Sequence, residues 1–242
     1  KNGDKMIQIN IKEKKFNDIK ILENIDISLY DGEFLSIIGP SGCGKTTFLN
    51  IISSLDKDFF GSVKLFSSNI GFVFQDSRLL PWLNVKQNLL LVSKNKDLKI
   101  IDELLEIVGL KDILETYPKD LSGGMARRVS FVRAFINGPK ILFLDEPFIS
   151  LDYPTSTALK KDFLKLCKKF NTTVILVTHD LSEAIHLSTR ILFFSKNPAT
   201  CIFEYENPNN QEFNQKKIDD LKNQLLEIYP NILEGYLCKK LF

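Results

Sequence analysis

The sequence predicts an α/β fold with a mainly parallel core sheet, an N-terminal antiparallel β subdomain and a helical insert. Short apolar runs alternate with segments of helical periodicity, as buried strands and their crossover helices do. Residues 1–33 instead alternate apolar and polar side chains, which is typical of half-exposed antiparallel strands. Residues 84–135 carry mainly helical signals, so we interpret them as an insert between two strands of the core.

Five apolar runs are predicted to form buried strands: FLSIIG (34–39), IGFVFQ (70–75), ILFLDE (141–146), TTVILVTH (172–179) and RILFFS (190–195). The middle three end in a polar residue, as expected when reactive groups lie at the carboxyl ends of parallel strands. Between them, Leu159, Phe163, Leu166 and Phe170 keep helical spacing on one face. The alternation predicts right-handed βα crossovers.

The two ends of the chain complete this scheme. IQINIK (7–12) and ILENIDISLY (21–30) are the predicted antiparallel strands. Residues 206–214 are polar and predict a loop, and KIDDLKNQLLEI (217–228) predicts a closing helix. We expect residues 1–242 to form a single domain.

Charge and cysteine content exclude several classes of protein. The 32 basic and 30 acidic residues nearly balance, so no basic field for nucleic acid is expected. The cysteines at 43, 167, 201 and 238 have neither zinc-site spacing nor the density of a disulfide framework, which predicts a reducing compartment. No run approaches the ~18–20 apolar residues of a membrane span, and no export signal is recognised.

The segment GPSGCGKT (39–46) lies between a predicted strand and the helical pattern TFLNII. Its glycines let the backbone turn tightly around a phosphate, and amides at the helix start should converge on the anion. Lys45 is expected to reach the β- and γ-phosphate oxygens, and the Thr46 hydroxyl to bind Mg²⁺. The predicted ATP-binding residues here are Gly39, Pro40, Ser41, Gly42, Cys43, Gly44, Lys45, Thr46 and Thr47.

Cys43 has two interpretations. It is either a small residue that fills space in the loop, or a thiol made acidic by the helix N-terminus and Lys45. The second predicts alkylation of Cys43 that ATP blocks.

Polar residues at strand ends predict the hydrolytic site. Asp145 is expected to hold Mg²⁺ through water, and Glu146 to orient or deprotonate the attacking water. His179 is placed to contact the γ-phosphate, and Gln75 to touch Mg²⁺ or the water. Each of these residues has an alternative interpretation. Asp145 and Glu146 could be an acidic helix cap, His179 a structural histidine, and Gln75 an ordinary polar strand end. His186 is interpreted as structural.

LSGGM (121–125) precedes a helical pattern that contains Arg127, Arg128 and Arg133. Ser122 and the amides of Gly123 and Gly124 would form a second γ-phosphate site. A single ATP cannot easily contact this segment and its own phosphate loop within one compact domain. A head-to-tail homodimer in which each segment covers the partner's ATP solves this, with ISLD (149–152) crossing the seam.

The ordered set GPSGCGKT, Gln75, LSGGM, LDEP, SLD and His179 resembles the ATPase subunits of ATP-binding cassette (ABC) transporters over roughly residues 6–205. This resemblance implies a P-loop NTPase that binds ATP and Mg²⁺. It implies that Gln75 begins the loop that couples ATP to a membrane subunit, that Glu146 is the catalytic base and that His179 is a switch residue. It also implies that Phe16 stacks on adenine and that Ser122, Gly123, Gly124, Met125 and Asp152 contact nucleotide across the dimer.

FVFQDSRLLPWLNVKQNL (72–89) and DEPFISLD resemble the ATPases of nitrate, sulfonate and taurine importers. That subgroup implies an integral-membrane permease, an extracytoplasmic substrate-binding protein and a location on the cytoplasmic face of the bacterial inner membrane. LLPWL is either a docking patch for a permease helix or a buried corner of the insert. Met125 stands where most of the wider family has glutamine. Ala126 and Arg127 stand where these importers more commonly have an Arg-Gln pair. The run GGMARR also resembles the ATPases of bacterial lipid-trafficking systems.

Two rival functions remain at this stage. A soluble ABC protein acting on DNA or ribosomes would carry a long coiled coil or a second cassette, and about 75 residues between Lys45 and Ser122 leave no room for a coiled coil. A module that holds ATP without turnover is disfavoured by Glu146 and His179.

Overall fold

A computed structural model describes residues 6–149, 151–208 and 214–238. The first of its two units, residues 1–68 and 174–242, starts with β1 (Met6–Phe16), β2 (Ile19–Tyr30), β3 (Phe34–Ile38), α1 (Lys45–Ile52) and β4 (Phe60–Lys64). The second, residues 69–173, contains β5 (Ile70–Val73), α2 (Val85–Leu90), α3 (Leu98–Ile107), α4 (Gly123–Phe135), β6 (Ile141–Asp145) and α5 (Tyr153–Phe170). The first unit ends with β7 (Thr173–Thr178), α6 (Leu181–Leu187), β8 (Arg190–Phe194), β9 (Cys201–Glu206) and α7 (Gln215–Ile228). Thr173, the first residue of β7, belongs to the second unit.

The N-terminal sheet of the first unit is antiparallel and has the order β2-β1-β4. Ile9 pairs with Ile27 and Ile11 with Ile25, and all four side chains are buried. Because alternate side chains of a strand point to opposite faces, the alternating sequence buries one face of this sheet and exposes the other. The predicted antiparallel β subdomain is confirmed.

The second sheet region of the first unit has the order β7-β3-β8-β9. β3 is buried along its whole length and pairs in parallel with both β7 and β8, whereas β9 is antiparallel to β8. Strands covered on both faces are largely apolar, which is why FLSII and TVILV are apolar apart from the buried Ser36 and Thr173. The mainly parallel core is therefore confirmed for these strands.

The carboxyl-terminal helix packs within the first unit. Ile218 and Leu225 of α7 belong to one buried cluster with Ala184 and Ile185 of α6. The helix begins at Gln215, two residues before the predicted start, since the Asn214 side chain accepts a hydrogen bond from the Lys217 amide.

The second unit contains a parallel strand pair and an aromatic core. β5 and β6 pair from Ile70–Ile141 to Val73–Leu144. Rings from α4, α5 and the segment after β6 form a contiguous cluster with centroid separations of 5.1–6.0 Å: Phe131, Phe135, Phe148, Phe163 and Phe170. Burial of such side chains contributes about 1.5–3 kcal/mol each, so this cluster is a main source of stability for the unit.

Sequence reasoning missed two strands. β4 has largely exposed residues and a glycine, and β9 is half-exposed, so neither has a clear apolar pattern. Glu206 ends β9 although 206–214 was predicted as loop, and residues 209–213 of that loop lie outside the described residues. Within the described ranges, no helix has the length and apolarity needed to cross a membrane. The assignment of 1–242 to one domain stays a prediction.

Candidate functional site

The phosphate loop of the first unit joins β3 to α1. Lys45 is buried, and its Nζ donates to the carbonyl oxygens of Gly39 at 2.8 Å and Pro40 at 2.9 Å. The Cys43 amide donates to the Pro40 carbonyl at 3.2 Å, which closes the turn. The loop is thus a small ring around the lysine ammonium at a helix N-terminus, a place where an anion is stabilised.

Gly44 fixes the close approach of this loop to β2. Its φ of 112° is one that L side chains rarely adopt. A Cβ at this position would lie 2.8 Å from Ile21 Cγ2 and 2.9 Å from Leu22 Cδ2. The helix α1 starts directly after Gly44, with the Phe48 amide donating to the Gly44 carbonyl at 2.8 Å. A residue without a side chain is therefore required where the loop becomes a helix.

Cys43 does not have the acidic thiol that one interpretation predicted. Its side chain is 2% exposed, and burial raises the pKa of the thiol despite the opposing effect of Lys45. The acidic-thiol interpretation is therefore wrong, because desolvation outweighs the nearby positive charge. Cys43 instead fills the space under Gly39, where an added Cβ would lie 2.9 Å from the Cys43 Sγ.

The structure brings His179 to the same sheet edge as the phosphate loop. Ile38 pairs in parallel with Thr178, so the loop and His179 leave adjacent strands at the same level. His179 is exposed, and the next residue, Asp180, caps α6 by accepting from the Ser182 amide at 2.8 Å. The imidazole therefore lies at the carboxyl edge of the parallel strands, where ligands of such sheets bind. His186 is buried in α6, as its structural interpretation requires.

Phe16 ends β1 and is 51% exposed, as a ring that contacts a ligand must be. The Nζ of Lys14 lies 4.8 Å from the Phe16 ring centroid. Lys14 itself is 2% exposed and pairs with Asp56 at 2.9 Å and Asp58 at 3.3 Å. Burial acts to lower the Lys14 pKa, but hydrogen bonds to the two aspartates outweigh it and raise the pKa. Lys14, which sequence reasoning missed, is thus a charged support beside the predicted adenine contact.

In the second unit, two predicted carboxylates follow β6. Asp145 is the buried last residue of the strand, and Glu146 is half-buried with a φ of +44°. A left-handed conformation is uncommon for glutamate and is found mainly where the surrounding fold enforces it, often at functional sites. The turn at Glu146 leads the chain out of the strand within one residue.

Gln75 lies at the same edge of this strand pair. Because Val73 pairs with Leu144, the residues that follow β5 and β6 leave the pair side by side. Gln75 is exposed, and its carbonyl accepts from Arg127 of α4. The strand ends that carry Gln75, Asp145 and Glu146 therefore lie side by side in the second unit, and the role of these residues in hydrolysis stays a prediction.

The signature segment LSGGM forms the start of α4. The Ser122 side chain accepts from the Met125 amide at 3.2 Å, and Gly123 and Gly124 are the first helical residues. A Cβ at Gly123 would have nothing within 4 Å, whereas at Gly124 it would lie 3.0 Å from Thr155 Cγ2. Ser122 and Gly123 are exposed at a helix N-terminus, which has the polarity that an anion needs.

Asp152 caps α5 by accepting from the Thr155 amide at 3.2 Å, and hydrogen bonds from Thr155 lower its pKa. Its predicted contact across a dimer stays a prediction, and Ser150 of the same ISLD segment lies outside the described residues.

The predicted Mg²⁺ ligands combine a hydroxyl, an amide and a carboxylate, on Thr46, Gln75 and Asp145 respectively. These are oxygen donors of the kind that Mg²⁺ prefers. Thr46 belongs to the first unit and the other two to the second. Over the described ranges, no three His, Cys, Asp or Glu side chains are grouped as a metal site, and the Mg²⁺ site stays a prediction.

The predicted docking segment LLPWL is an exposed turn on a buried support. Trp82 is 70% exposed, so the interpretation as a buried corner is wrong for this residue. Asn88 of α2 is 1% exposed and its Nδ2 donates to the carbonyls of Leu80, Leu83 and Asn84 at 2.9–3.2 Å. The Leu80 amide donates back to Asn88 Oδ1 at 2.8 Å. Lys86 and Gln87 of the same helix are polar too, so no signal in the run VKQNLL singles out Asn88 as this anchor.

Comparisons with known proteins point in one direction. The ABC transporter family model matches residues 22–149. The aliphatic sulfonates import ATP-binding protein SsuB of Bacillus subtilis is 44% identical, over 79% of this chain and 81% of that protein. SsuB 2 of Pseudomonas syringae pv. tomato is 43% identical, over 82% and 86%. Among solved structures, the ATP-binding cassette MJ0796, a dimer in a post-hydrolysis state bound to ADP and Pi, is 31% identical with a TM-score of 0.71, over 84% of this chain and 99% of that chain.

Proposed function

Because this chain belongs to the ABC transporter family, we propose that it is the ATP-binding and ATP-hydrolysing subunit of an importer for a small anion. Nitrate, taurine and other sulfonates are the candidate cargoes, and an aliphatic sulfonate is the first to test, since SsuB proteins are similar along most of both chains. The observation that carries the proposal is the phosphate loop closed by Lys45 beside the strand end that bears His179.

The phosphate loop supplies the ground-state grip on ATP. Lys45 exchanges its carbonyl partners for phosphate oxygens, and the amides of the turn and of the first turn of α1 donate to the same anion. Thr46, Gln75 and Asp145 would hold Mg²⁺, which neutralises charge on the β- and γ-phosphates when bound. Phe16 stacks on the adenine ring.

Hydrolysis needs a positioned water and a proton acceptor. Glu146 orients the water and takes its proton on a carboxylate oxygen, and Gln75 orients the water without competing for that proton. His179 donates to a γ-phosphate oxygen and so responds to its presence. The enforced left-handed backbone at Glu146 supports this assignment, because such a conformation is retained where geometry matters.

ATP also joins two copies of the chain. Ser122, Gly123 and Gly124 at the start of α4 donate to the γ-phosphate of the partner's ATP, and Met125 and Asp152 lie along the same seam. Each nucleotide is then held from two sides, so that ATP closes the dimer and hydrolysis opens it. The dimeric ADP- and Pi-bound cassette MJ0796 supports such an arrangement by similarity.

A membrane permease is the proposed partner that receives this motion. The exposed Trp82 and its apolar neighbours offer an aromatic anchor for a short permease helix. In the full system the subunit lies on the cytoplasmic face of a bacterial inner membrane, with a substrate-binding protein on the opposite side. Nucleic acid has no role, which agrees with the balanced charge of the chain.

The soluble DNA-acting alternative is disfavoured by helix lengths. The α-helices between the phosphate loop and the signature segment are α1, α2 and α3, of 8, 6 and 10 residues. A coiled coil needs several heptads of continuous helix, which none of the three provides. The lipid-trafficking alternative rests on the run GGMARR alone.

Uptake of labelled cargo tests the proposal. The chain is expressed with a candidate permease and binding protein from the same organism, and uptake of an aliphatic sulfonate is compared with that of taurine, nitrate and a phospholipid. We expect ATP-dependent uptake of the sulfonate that Glu146→Gln abolishes. Uptake that persists without ATP hydrolysis, or transfer of the phospholipid alone, would contradict the proposal.

A further inference from the structure

The guanidinium of Arg127 lies on the backbone that follows β5. Arg127 is 7% exposed, its Nη1 donates to the Phe74 carbonyl at 2.7 Å, and its Nη2 donates to the Gln75 carbonyl. An arginine fork can hold two neighbouring carbonyls at once, which a lysine or glutamine of this position cannot do with the same geometry. The contact therefore fixes the main chain of the predicted coupling glutamine, and not its side chain.

A second arginine of the same helix continues this contact. Arg133 donates from Nη1 to the Arg78 carbonyl at 2.6 Å and from Nη2 to the Ser77 carbonyl at 2.7 Å. Two side chains of α4 thus hold four of the five carbonyls of residues 74–78. Arg127 and Arg133 are six residues apart on α4, which is about 9 Å along the helix axis. This spacing lets the two side chains hold the two ends of the segment 74–78.

The electrostatics show what holds the two guanidinium groups in place. Burial lowers the pKa of Arg127, and the negative charge of Asp76 opposes this. Burial and the positive charge of Arg78 lower the pKa of Arg133. A guanidinium group partly removed from water is tolerated when its donors are used in hydrogen bonds, so the four carbonyl acceptors in residues 74–78 are the partners that make these positions possible.

The segment is also ordered by its own side chains. The Phe74 ring stacks on Phe72 with a centroid separation of 4.2 Å, and the guanidinium carbon of Arg78 lies 3.7 Å from the Phe74 ring centroid. Beyond it, Asn88 holds the turn that carries Trp82. The part held by Arg133 ends at Arg78 and the part held by Asn88 begins at Leu80, so one main-chain residue joins the fastened segment to the turn that carries the exposed tryptophan.

We propose that Arg127, together with Arg133, is a positioning residue that fastens residues 74–78 to helix α4, so that the signature end of this helix and the Trp82 turn move as one body. This inference rests on the proposed function, which gives Ser122 a partner's ATP and Trp82 a permease. Under it, a displacement of the Ser122 end on ATP binding reaches the permease contact directly.

Trypsin cleavage after Arg78 tests the fastening, since the Arg78 carbonyl is one of the four acceptors. We compare Arg127→Met, which removes every donor, Arg127→Lys, which keeps the charge, and Arg128→Met. Arg128 is the matched control because it pairs with Asp162 at 3.2 Å and each methionine variant loses one tryptic site. After correction for unfolding temperature, cleavage after Arg78 should be at least about ten times faster in Arg127→Met than in the wild type. The rate should be intermediate in Arg127→Lys and unchanged in Arg128→Met.

Equal cleavage rates in the Arg127 and Arg128 variants would overturn the fastening. If Arg127→Met does not fold, the comparison of Arg127→Lys with Arg128→Met decides in the same way.

A second experiment tests whether a displacement of the Ser122 end of α4 reaches residues 74–78. It uses the Glu146→Gln variant with ATP. With Arg127 intact, ATP should slow cleavage after Arg78; with Arg127→Met, the ATP-bound dimer should form by light scattering but cleavage should no longer respond. The same ATP-dependent slowing in Arg127→Met would overturn the coupling role. Absence of ATP binding with Arg127 intact would overturn the proposed function and this coupling role, while the ATP-free cleavage comparison would still decide the fastening.

Discussion

The ammonium group of Lys45 lies 2.8 Å from the carbonyl oxygen of Gly39, so the lysine that should bind phosphate also closes its own loop. With the Pro40 carbonyl at 2.9 Å, this buried cation has two main-chain partners. A phosphate oxygen has a full charge where a carbonyl has a dipole, and the exchange of partners is therefore favourable when ATP binds. The side chain is already in place for that exchange.

Lys45→Ala should weaken ATP binding by roughly tenfold to a hundredfold, since a hydrogen bond from a charged group typically contributes about 1.5–3 kcal/mol. Titration with a fluorescent ATP analogue measures the affinity. Lys57→Ala, at an exposed lysine just after α1, is the control and should bind normally. Unchanged affinity in Lys45→Ala would remove the phosphate-loop assignment.

Gly44→Ala should be far more damaging than Gly42→Ala. Both glycines have positive φ, of 112° and 74°, but only Gly44 has neighbours in the way of a Cβ, with Ile21 Cγ2 at 2.8 Å. Gly42 has nothing within 4 Å. We expect about 1–2 kcal/mol of destabilisation for Gly42→Ala from backbone conformation alone, and about 2–6 kcal/mol for Gly44→Ala from backbone and overpacking together.

Thermal unfolding of the two variants beside the wild type gives this order directly. Equal unfolding temperatures for Gly44→Ala and Gly42→Ala would show that the contact with β2 adjusts freely, contrary to the close packing described above.

Glu146→Gln should reduce ATP turnover by roughly 10²–10⁴-fold, the usual contribution of a positioned base, while ATP affinity is retained. Because the amide keeps the shape of the carboxylate but cannot take a proton, the variant should accumulate an ATP-bound dimer. Phosphate release and light scattering measure the two effects. Glu106→Gln is the control, since Glu106 is an exposed partner of Lys111 at 2.7 Å. Wild-type turnover in Glu146→Gln would exclude Glu146 from the mechanism.

The sequence predicted those features that depend on neighbouring residues. The largely apolar run at 34–38 identified β3 because a strand buried on both faces must be mostly apolar, and the glycines of the next segment predict the phosphate loop. The grouping of Gln75 with Asp145 followed from the parallel alternation, since parallel strands end at one edge. Each of these inferences uses a local pattern with one physical meaning.

Features that depend on distant packing could not be predicted in this way. The acidic interpretation of Cys43 was wrong because the local charge was visible in the sequence but the burial was not. The role of Arg127 depends on residues about fifty positions earlier in the chain, at the end of another element. β4 is recognisable only through its pairing with β1, since its own residues are mostly exposed.

Trp82→Ala should leave stability nearly unchanged and weaken permease binding. The ring is 70% exposed, so its removal is expected to alter the free energy of unfolding by less than about 0.5 kcal/mol. Loss of an aromatic anchor at an interface typically costs about 2 kcal/mol or more, which is roughly a thirtyfold loss of affinity. Co-purification and titration with the permease in detergent measure that affinity.

Two variants separate the contact from its support. Leu91→Ala removes another exposed apolar side chain of the second unit, 65% exposed, and should bind the permease normally. Asn88→Ala removes the buried anchor and should reduce both unfolding temperature and permease binding. Wild-type permease affinity in Trp82→Ala would exclude the docking role of this turn.

Alkylation should distinguish the cysteines by burial. Cys238 is exposed, whereas Cys43 and Cys167 are buried, and burial raises the pKa of both buried thiols. Only the thiolate reacts, so at about pH 7–8 iodoacetamide should label Cys238 first and the two buried cysteines far more slowly. The pKa of each buried thiol is higher in the folded than in the unfolded protein. The stabilisation that comes from keeping the thiol neutral is therefore complete below the ordinary thiol pKa of about 8.5, and it is lost as the pH rises above that value.

Mass spectrometry of the labelled peptides gives the rate at each position, and a Cys238→Ser variant removes the fast background. Labelling at Cys43 should remain slow with or without ATP near neutral pH and should accelerate only in alkaline solution, where the thiolate forms and stability falls together. Rapid labelling of Cys43 near pH 7 that ATP suppresses would contradict the burial described here, because a buried thiol with a raised pKa has neither the access nor the charge that such a reaction requires.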